Sequence, residues 1–169
     1  MFKLLKRTLQ RGPFTEPLAE ETEASGIRRL THRPPPWGRS MGLRTVDAGS
    51  CNGCELEIQA LLNPVYDVER WGFRFTASPR HADVLLVTGP ATVNMTEALQ
   101  RAHDAAPNPK WVVAAGDCAL HGGPFKESPA CQGGIHAVLP VDVAIPGCPP
   151  TPEALCQGLL ALLERDQKE

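Results

Sequence analysis

No apolar run in this chain approaches the roughly 20 residues that cross a bilayer, so no membrane-spanning helix is expected. Strong charge is missing too. There are 17 Lys/Arg against 19 Asp/Glu, a net charge of −2, and aromatic residues make up 5% of the sequence. Without a basic surface interleaved with aromatics, nucleic acid is excluded as a main partner. The basic residues near the start are not followed by a continuous apolar stretch, and neither is Arg28-Arg29. A secretory or twin-arginine signal is therefore not expected. No internal repeat is visible, and CxxC occurs once.

What is present is an apolar fraction of 42% over 169 residues, enough for one core of ordinary size. The charge is divided unevenly. Residues 1–40 carry eight Lys/Arg against four acids, and the rest of the chain is acidic. Phe2, Leu5 and Leu9 fall at near-helical spacing among Lys3, Lys6, Arg7 and Arg11. That pattern fits a short helix on an anionic membrane surface or a partner, or else a solvated tail. Residues 13–40 hold Pro13, Pro17, Pro34, Pro35 and Pro36 and few large apolar groups. They read as an extended arm, with Trp37 as its natural anchor. Two parts are expected: a basic, proline-rich extension over residues 1–40 and a compact domain over 41–169.

Within the domain, the pattern predicts a strand over Leu43–Asp47 and a helix over Glu55–Leu62, with Leu56, Ala60 and Leu61 on one broad face and Ile58 near its edge. Asn63-Pro64 stops that helix. Phe73–Ala77 reads as a strand. Asp83–Thr88 and Lys110–Ala115 are continuous apolar runs of the kind parallel strands show when both faces are covered. A helix is expected over Met95–Ala105 and a loop over Gly116–Gly134. A further short strand lies within Val138–Ile145, interrupted by Pro140. Thr151 caps a last helix that starts at Pro152 and lines Leu155, Leu159 and Leu162 along one face. Strands alternating with helices give an α/β fold with a mainly parallel sheet.

The cysteines then become informative. Cys51-Asn52-Gly53-Cys54 follows the first strand, and Asn and Gly tolerate the tight turn such a pair needs. Gly116-Asp117-Cys118 and Pro146-Gly147-Cys148-Pro149-Pro150 each follow a later strand. In a parallel sheet the functional crevice lies beyond the carboxyl ends of the strands, so these loops bring four thiols to one edge. Zinc, a thiol/disulfide centre and an iron–sulfur cluster all use such ligands. One close pair plus two distant singletons favours a cluster over zinc. Gly53, Gly116 and Gly147 would let backbone N–H groups approach the cluster sulfides. In a reducing compartment, six cysteines read as ligands or buried thiols rather than disulfides.

Four stretches carry a resemblance: SCNGCELEI, SPRHADVLLVTGP, GDC followed by HGGPF, and LPVDVAIPGCPPTPEAL. Together they resemble the small-subunit family shared by respiratory complex I and the membrane-bound [NiFe] hydrogenases, over about residues 41–164. The resemblance implies a flavodoxin-like fold, with helices on both faces of the sheet, and one [4Fe–4S] cluster on Cys51, Cys54, Cys118 and Cys148. Complex I members have adjacent cysteines at the first motif. The CxxC here looks like the hydrogenase branch, including formate-hydrogenlyase-type complexes. Motifs for further clusters are missing, which looks like a single-cluster subunit. The implied role is electron transfer without catalysis by this chain alone. The implied partners are a large subunit with a [NiFe] or quinone site, a ferredoxin-like iron–sulfur subunit and membrane-arm subunits. The implied place is the cytoplasmic side of the membrane, as a peripheral protein.

Other residues have two readings each. Glu55 and Glu57 supply favourable charge at a helix start, or a proton-relay carboxylate beside a redox centre; Glu57 is the better relay candidate. Cys131 is an unremarkable loop thiol or a spare ligand, and His121 a hydrogen-bonding loop residue or a cluster ligand. Cys156 has one reading, a small core residue. Arg80-His81-Ala82-Asp83 is either a surface turn or the lining of an interface or quinone-like cavity.

Overall fold

The computed structural model describes residues 26–29 and 40–163. The 1–12 segment, Trp37 and most of the arm lie outside the described residues. In chain order the elements are β1 (Arg28–Arg29), β2 (Met41–Asp47), α1 (Gly53–Ala60), β3 (Phe73–Phe75), β4 (Val84–Thr88), α2 (Val93–Ala105), β5 (Trp111–Ala115), α3 (Asp117–His121), β6 (Val143–Ile145) and α4 (Pro152–Leu163). The sheet order is β1-β6-β5-β4-β2-β3. Strands β2 to β6 are all parallel, and β1 pairs antiparallel with the edge of β6. Taken alone, the parallel strands follow the flavodoxin-like order, with the topological switch between β2 and β4.

Alternation along the central strands sends side chains to two faces. Val84, Leu86, Trp111 and Val113 meet Ile58 of α1, Leu61 that caps it, and Leu155, Leu159 and Leu162 of α4. Leu85, Val87, Val112 and Ala114 meet Leu99 of α2, Ala119 of α3, and Ile135 and Leu139. Both faces are thus covered, which explains the continuous apolar runs of β4 and β5. A fully buried leucine such as Leu159 contributes about 2 kcal/mol through lost contact with water. Gly158 lets α4 press close: a Cβ there would lie 2.3 Å from Ile145 Cδ1.

Three expectations change. The inward face of α1 is Cys54, Ile58 and Leu61, while Leu56 is 58% exposed. Cys54 turns inward, so the helix buries positions one, five and eight of that register. The stretch after β5 is not all loop: α3 forms there, and 3-10 turns follow at Gly123–Phe125 and Ile135–Ala137. Only Val143–Ile145 of the expected 138–145 stretch forms a strand: Val138 and Leu139 donate to Ile135 O in the preceding turn, and Pro140 has no N–H to give a ladder. The Arg80 region is a 3-10 turn at Pro79–His81, with Ser78 Oγ accepting the Arg80 N–H at 3.3 Å. It precedes β4, at the end of the sheet away from the cysteine loops.

Two aspartates extend the ladder at that same end. The Asp83 N–H donates to Gly42 O (2.8 Å) while its carboxylate accepts the Gly42 N–H (2.7 Å). Asp142 does the same with Val112, at 2.8 Å in both directions. Each carboxylate stands in for a missing backbone acceptor.

Candidate metal centre

The loop after β2 is built by side chains accepting backbone donors. Asp47 Oδ1 accepts the N–H groups of Gly49 and Ser50, both at 2.7 Å. Ser50 Oγ accepts the Asn52 N–H at 3.0 Å and donates to Glu55 Oε2 at 2.6 Å. The other oxygen of Glu55 accepts from the Thr88 hydroxyl at the end of β4. Asn52 takes the left-handed conformation (φ 73°) that opens α1. Gly89 allows the β4 loop to pass beneath, since a Cβ there would lie 2.6 Å from Ser50 N. The CxxC turn is thereby fixed to the switch point of the sheet.

The loops after β5 and β6 are tied to each other. Gly116 N–H donates to Ile145 O, and Asp117 N–H donates to Gly147 O, both at 2.8 Å. Asp117 Oδ1 accepts the Gly147 N–H at 2.9 Å. Gly116 and Gly147 therefore spend their N–H groups inside the protein, which revises the expectation that they face the cluster sulfides.

All three loops converge on Gly116. A Cβ at that position would lie 2.7 Å from Cys54 Sγ, 3.3 Å from Gly147 O and 3.6 Å from Pro150 Cδ. A Cβ at Gly53 would lie 3.6 Å from Cys51 Sγ and 3.9 Å from Pro149 Cβ, and one at Gly123 would lie 2.9 Å from Cys118 Sγ. Gly116 and Gly123 leave no room for a side chain, whereas a Cβ at Gly53 would make only ordinary contacts. Cys54 and Cys118 are buried, and Cys51 and Cys148 are exposed.

The thiols lie within one another's electrostatic reach. Burial first, then negative charge at Glu55, Cys118, Cys51 and Cys148, push the Cys54 thiol up to about 12. Burial, then Cys148, Cys51 and Asp117, raise Cys118. Thiols so placed keep their protons until a cationic group draws them off. Among the described residues, no three His, Cys, Asp or Glu gather closely enough for a single metal ion. The donor set is four thiols near one another at wider spacing, and its chemistry suits a group larger than one ion.

Of the other residues, Glu57 is half-buried on α1, and the polar chain runs through Glu55 instead. His121 Nδ1 accepts the Gly123 N–H at 3.2 Å, in keeping with a loop role. Cys156 is buried in the core and Cys131 is half-buried. Sequence reasoning misses Asp117 and Thr88; an aspartate directly before a lone cysteine is the available signal.

The family described as NADH ubiquinone oxidoreductase, 20 kDa subunit, matches residues 51–162. The chain belongs to this family. It is 48% identical over 128 residues to a probable membrane-bound hydrogenase subunit of Pyrococcus furiosus, covering 76% of this chain and 77% of that one. It is 48% identical over 130 residues to formate hydrogenlyase subunit 7 of Escherichia coli, covering 75% of this chain and 51% of that longer protein. An NADH-quinone oxidoreductase subunit of Bacteroides thetaiotaomicron is also 48% identical, over 128 residues, with 75% and 64% covered. Among solved structures, a chain of the membrane-bound sulfane sulfur reductase, an archaeal respiratory membrane complex, superposes with a TM-score of 0.66 at 33% identity, covering 74% of this chain and 69% of that one. A chain of an NAD+-reducing [NiFe]-hydrogenase shares the fold, with a TM-score of 0.57 at 22% identity, covering 78% of this chain and 96% of that one.

Proposed function

We propose that this chain holds one [4Fe–4S] cluster on Cys51, Cys54, Cys118 and Cys148. In this reading it is the electron-transfer subunit next to the active site of a membrane-bound [NiFe] hydrogenase-type complex of the formate hydrogenlyase kind. The observation that carries the proposal is the meeting of three loops around Gly116, with four thiols within reach of one another's charge. Iron–sulfur clusters are held by four cysteine thiolates, one at each corner. A cubane also accepts thiolates spread more widely than tetrahedral zinc, whose short Zn–S bonds draw four sulfurs tightly together. When bound, the cluster supplies one-electron transfer.

The chain's own residues do the holding. Ser50, Glu55 and Thr88 fix the CxxC turn. Asp117 ties together the two loops that supply single ligands. Burial of Cys54 and Cys118 keeps water from the inner side of the site. Exposure of Cys51 and Cys148 leaves the outer side for partners: a large subunit, a ferredoxin-like iron–sulfur subunit and membrane-arm subunits. Among the described residues no helix is long and apolar enough to cross a membrane. That fits a peripheral subunit, placed here on the cytoplasmic face.

The 48% identity to an NADH-quinone oxidoreductase subunit supports a second reading, the same electron-transfer role in a complex I-like enzyme. Co-purification separates the two. Tagged chain extracted in mild detergent should bring a nickel-containing large subunit with two CxxC pairs. A large subunit without those pairs, in a complex that reduces quinone, selects the second reading. A chain that purifies alone with one zinc and no sulfide defeats both.

A further inference from the structure

Among the described residues, three aspartates make the same two-way bond: the N–H donates to a carbonyl on the neighbouring segment, and the carboxylate accepts that residue's N–H. Asp83 and Asp142 do so before β4 and β6, at the end of the sheet remote from the cysteines. Asp117 alone does so beyond the carboxyl ends. The β5–β6 ladder stops at Ala115 and Ile145. The Asp117 clamp continues the pairing one step further, onto Gly147 (2.8 and 2.9 Å). The two clamped residues each directly precede a cysteine of the site, Cys118 and Cys148.

We infer that Asp117 is a positioning residue for the metal centre: it fixes the separation of Cys118 and Cys148 and holds the potential of the bound cluster low. The inference rests on the cluster reading above. The carboxylate holds Gly147 by its N–H and so joins the two loops. Its own negative charge, half-buried beside Cys118, opposes the arrival of an electron at short range, where salt screens weakly.

The test uses the full chain, reconstituted anaerobically with iron and sulfide. Wild type, Asp117→Asn, Asp117→Ala and Asp83→Asn are compared by iron content, midpoint potential and rate of iron release to a chelator. Asn keeps an acceptor for Gly147 but loses the charge. The Asn variant should hold wild-type iron, release it at the wild-type rate and titrate at a more positive potential. The Ala variant should also titrate more positive and release iron on the order of tenfold faster, because Gly147 N–H is left with no acceptor at all. Asp83→Asn should leave the potential in place. If Ala fails to fold, the potential of the Asn variant decides. Unshifted potentials in both Asp117 variants overturn the inference. So do an Asn variant as labile as Ala, or an equal shift from Asp83→Asn. A wild-type chain that takes up no iron defeats the proposed function itself, and this inference with it.

Discussion

At the scale of single residues, the six thiols fall into two groups by what surrounds them. Cys51, Cys54, Cys118 and Cys148 line one site, so serine at any one of them should lower iron content well below stoichiometric. Serine at Cys131 or Cys156 should leave iron intact, by assay on anaerobically purified protein. Equal loss from Cys131→Ser would show that Cys131 belongs among the ligands. Cys156 is chemically quiet for a different reason. Burial, assisted by Glu153 and partly offset by Arg70, pushes its thiol up to about 11 from the ordinary 9.0. Iodoacetamide at pH 8 should therefore spare Cys156 while it alkylates half-buried Cys131, as read by peptide mass spectrometry. The sign of the pH effect follows. Between about pH 9 and 11 the unfolded chain releases a proton that folded Cys156 retains. This contribution to stability is intact below pH 9 and is lost as pH rises through 11. A Cys156→Ala variant should show a shallower alkaline decline in denaturant midpoint.

At the scale of elements, β4, β5 and α4 are legible in the sequence because each is long enough for its own pattern: continuous apolar runs covered on both faces, and leucines at helical spacing behind Thr151-Pro152. α3 is not legible, since five residues between Gly116 and Gly122 are too few to show a period. The inward face of α1 is misread from the sequence because Leu56 is the more apolar choice, while the position of Cys54 sets the helix register. β1 is hidden for another reason. Two residues pair with β6 more than a hundred positions away, and no local pattern announces a partner that distant. Yet this short strand closes an edge that β6 would otherwise present to other chains. Ile27 packs on the core and Gly26 lies against Pro146 of the Cys148 loop. Removing residues 1–40 should leave the parallel sheet folded by circular dichroism but cost about 1–2 kcal/mol from the lost burial of Ile27. It should also promote self-association in sedimentation velocity. A truncated chain that is monomeric and as stable as the full one would show that β1 is dispensable.

At the scale of the whole molecule, the site is legible because of topology. Four cysteines after three parallel strands can only meet at one edge, and the sheet adopts the flavodoxin-like order that the family resemblance implies. What the sequence does not disclose is the scaffold of hydrogen bonds that sets the edge, since Asp117 and Thr88 gain meaning only when the loops meet. The same topology leaves Cys51 and Cys148 exposed, the side on which the proposed partner subunits would dock. On the proposed peripheral attachment, the chain should leave membranes with its partners under alkaline or chaotropic washing and stay largely in place under salt alone, followed by immunoblot. Retention after alkaline washing would contradict peripheral attachment. The central claim is the identity of the bound group, and its most direct test is the iron, acid-labile sulfide and zinc content of anaerobically prepared full chain. About four irons and four sulfides per chain, with no zinc, are expected of a cubane on four thiolates. One zinc per chain with no sulfide would contradict the account.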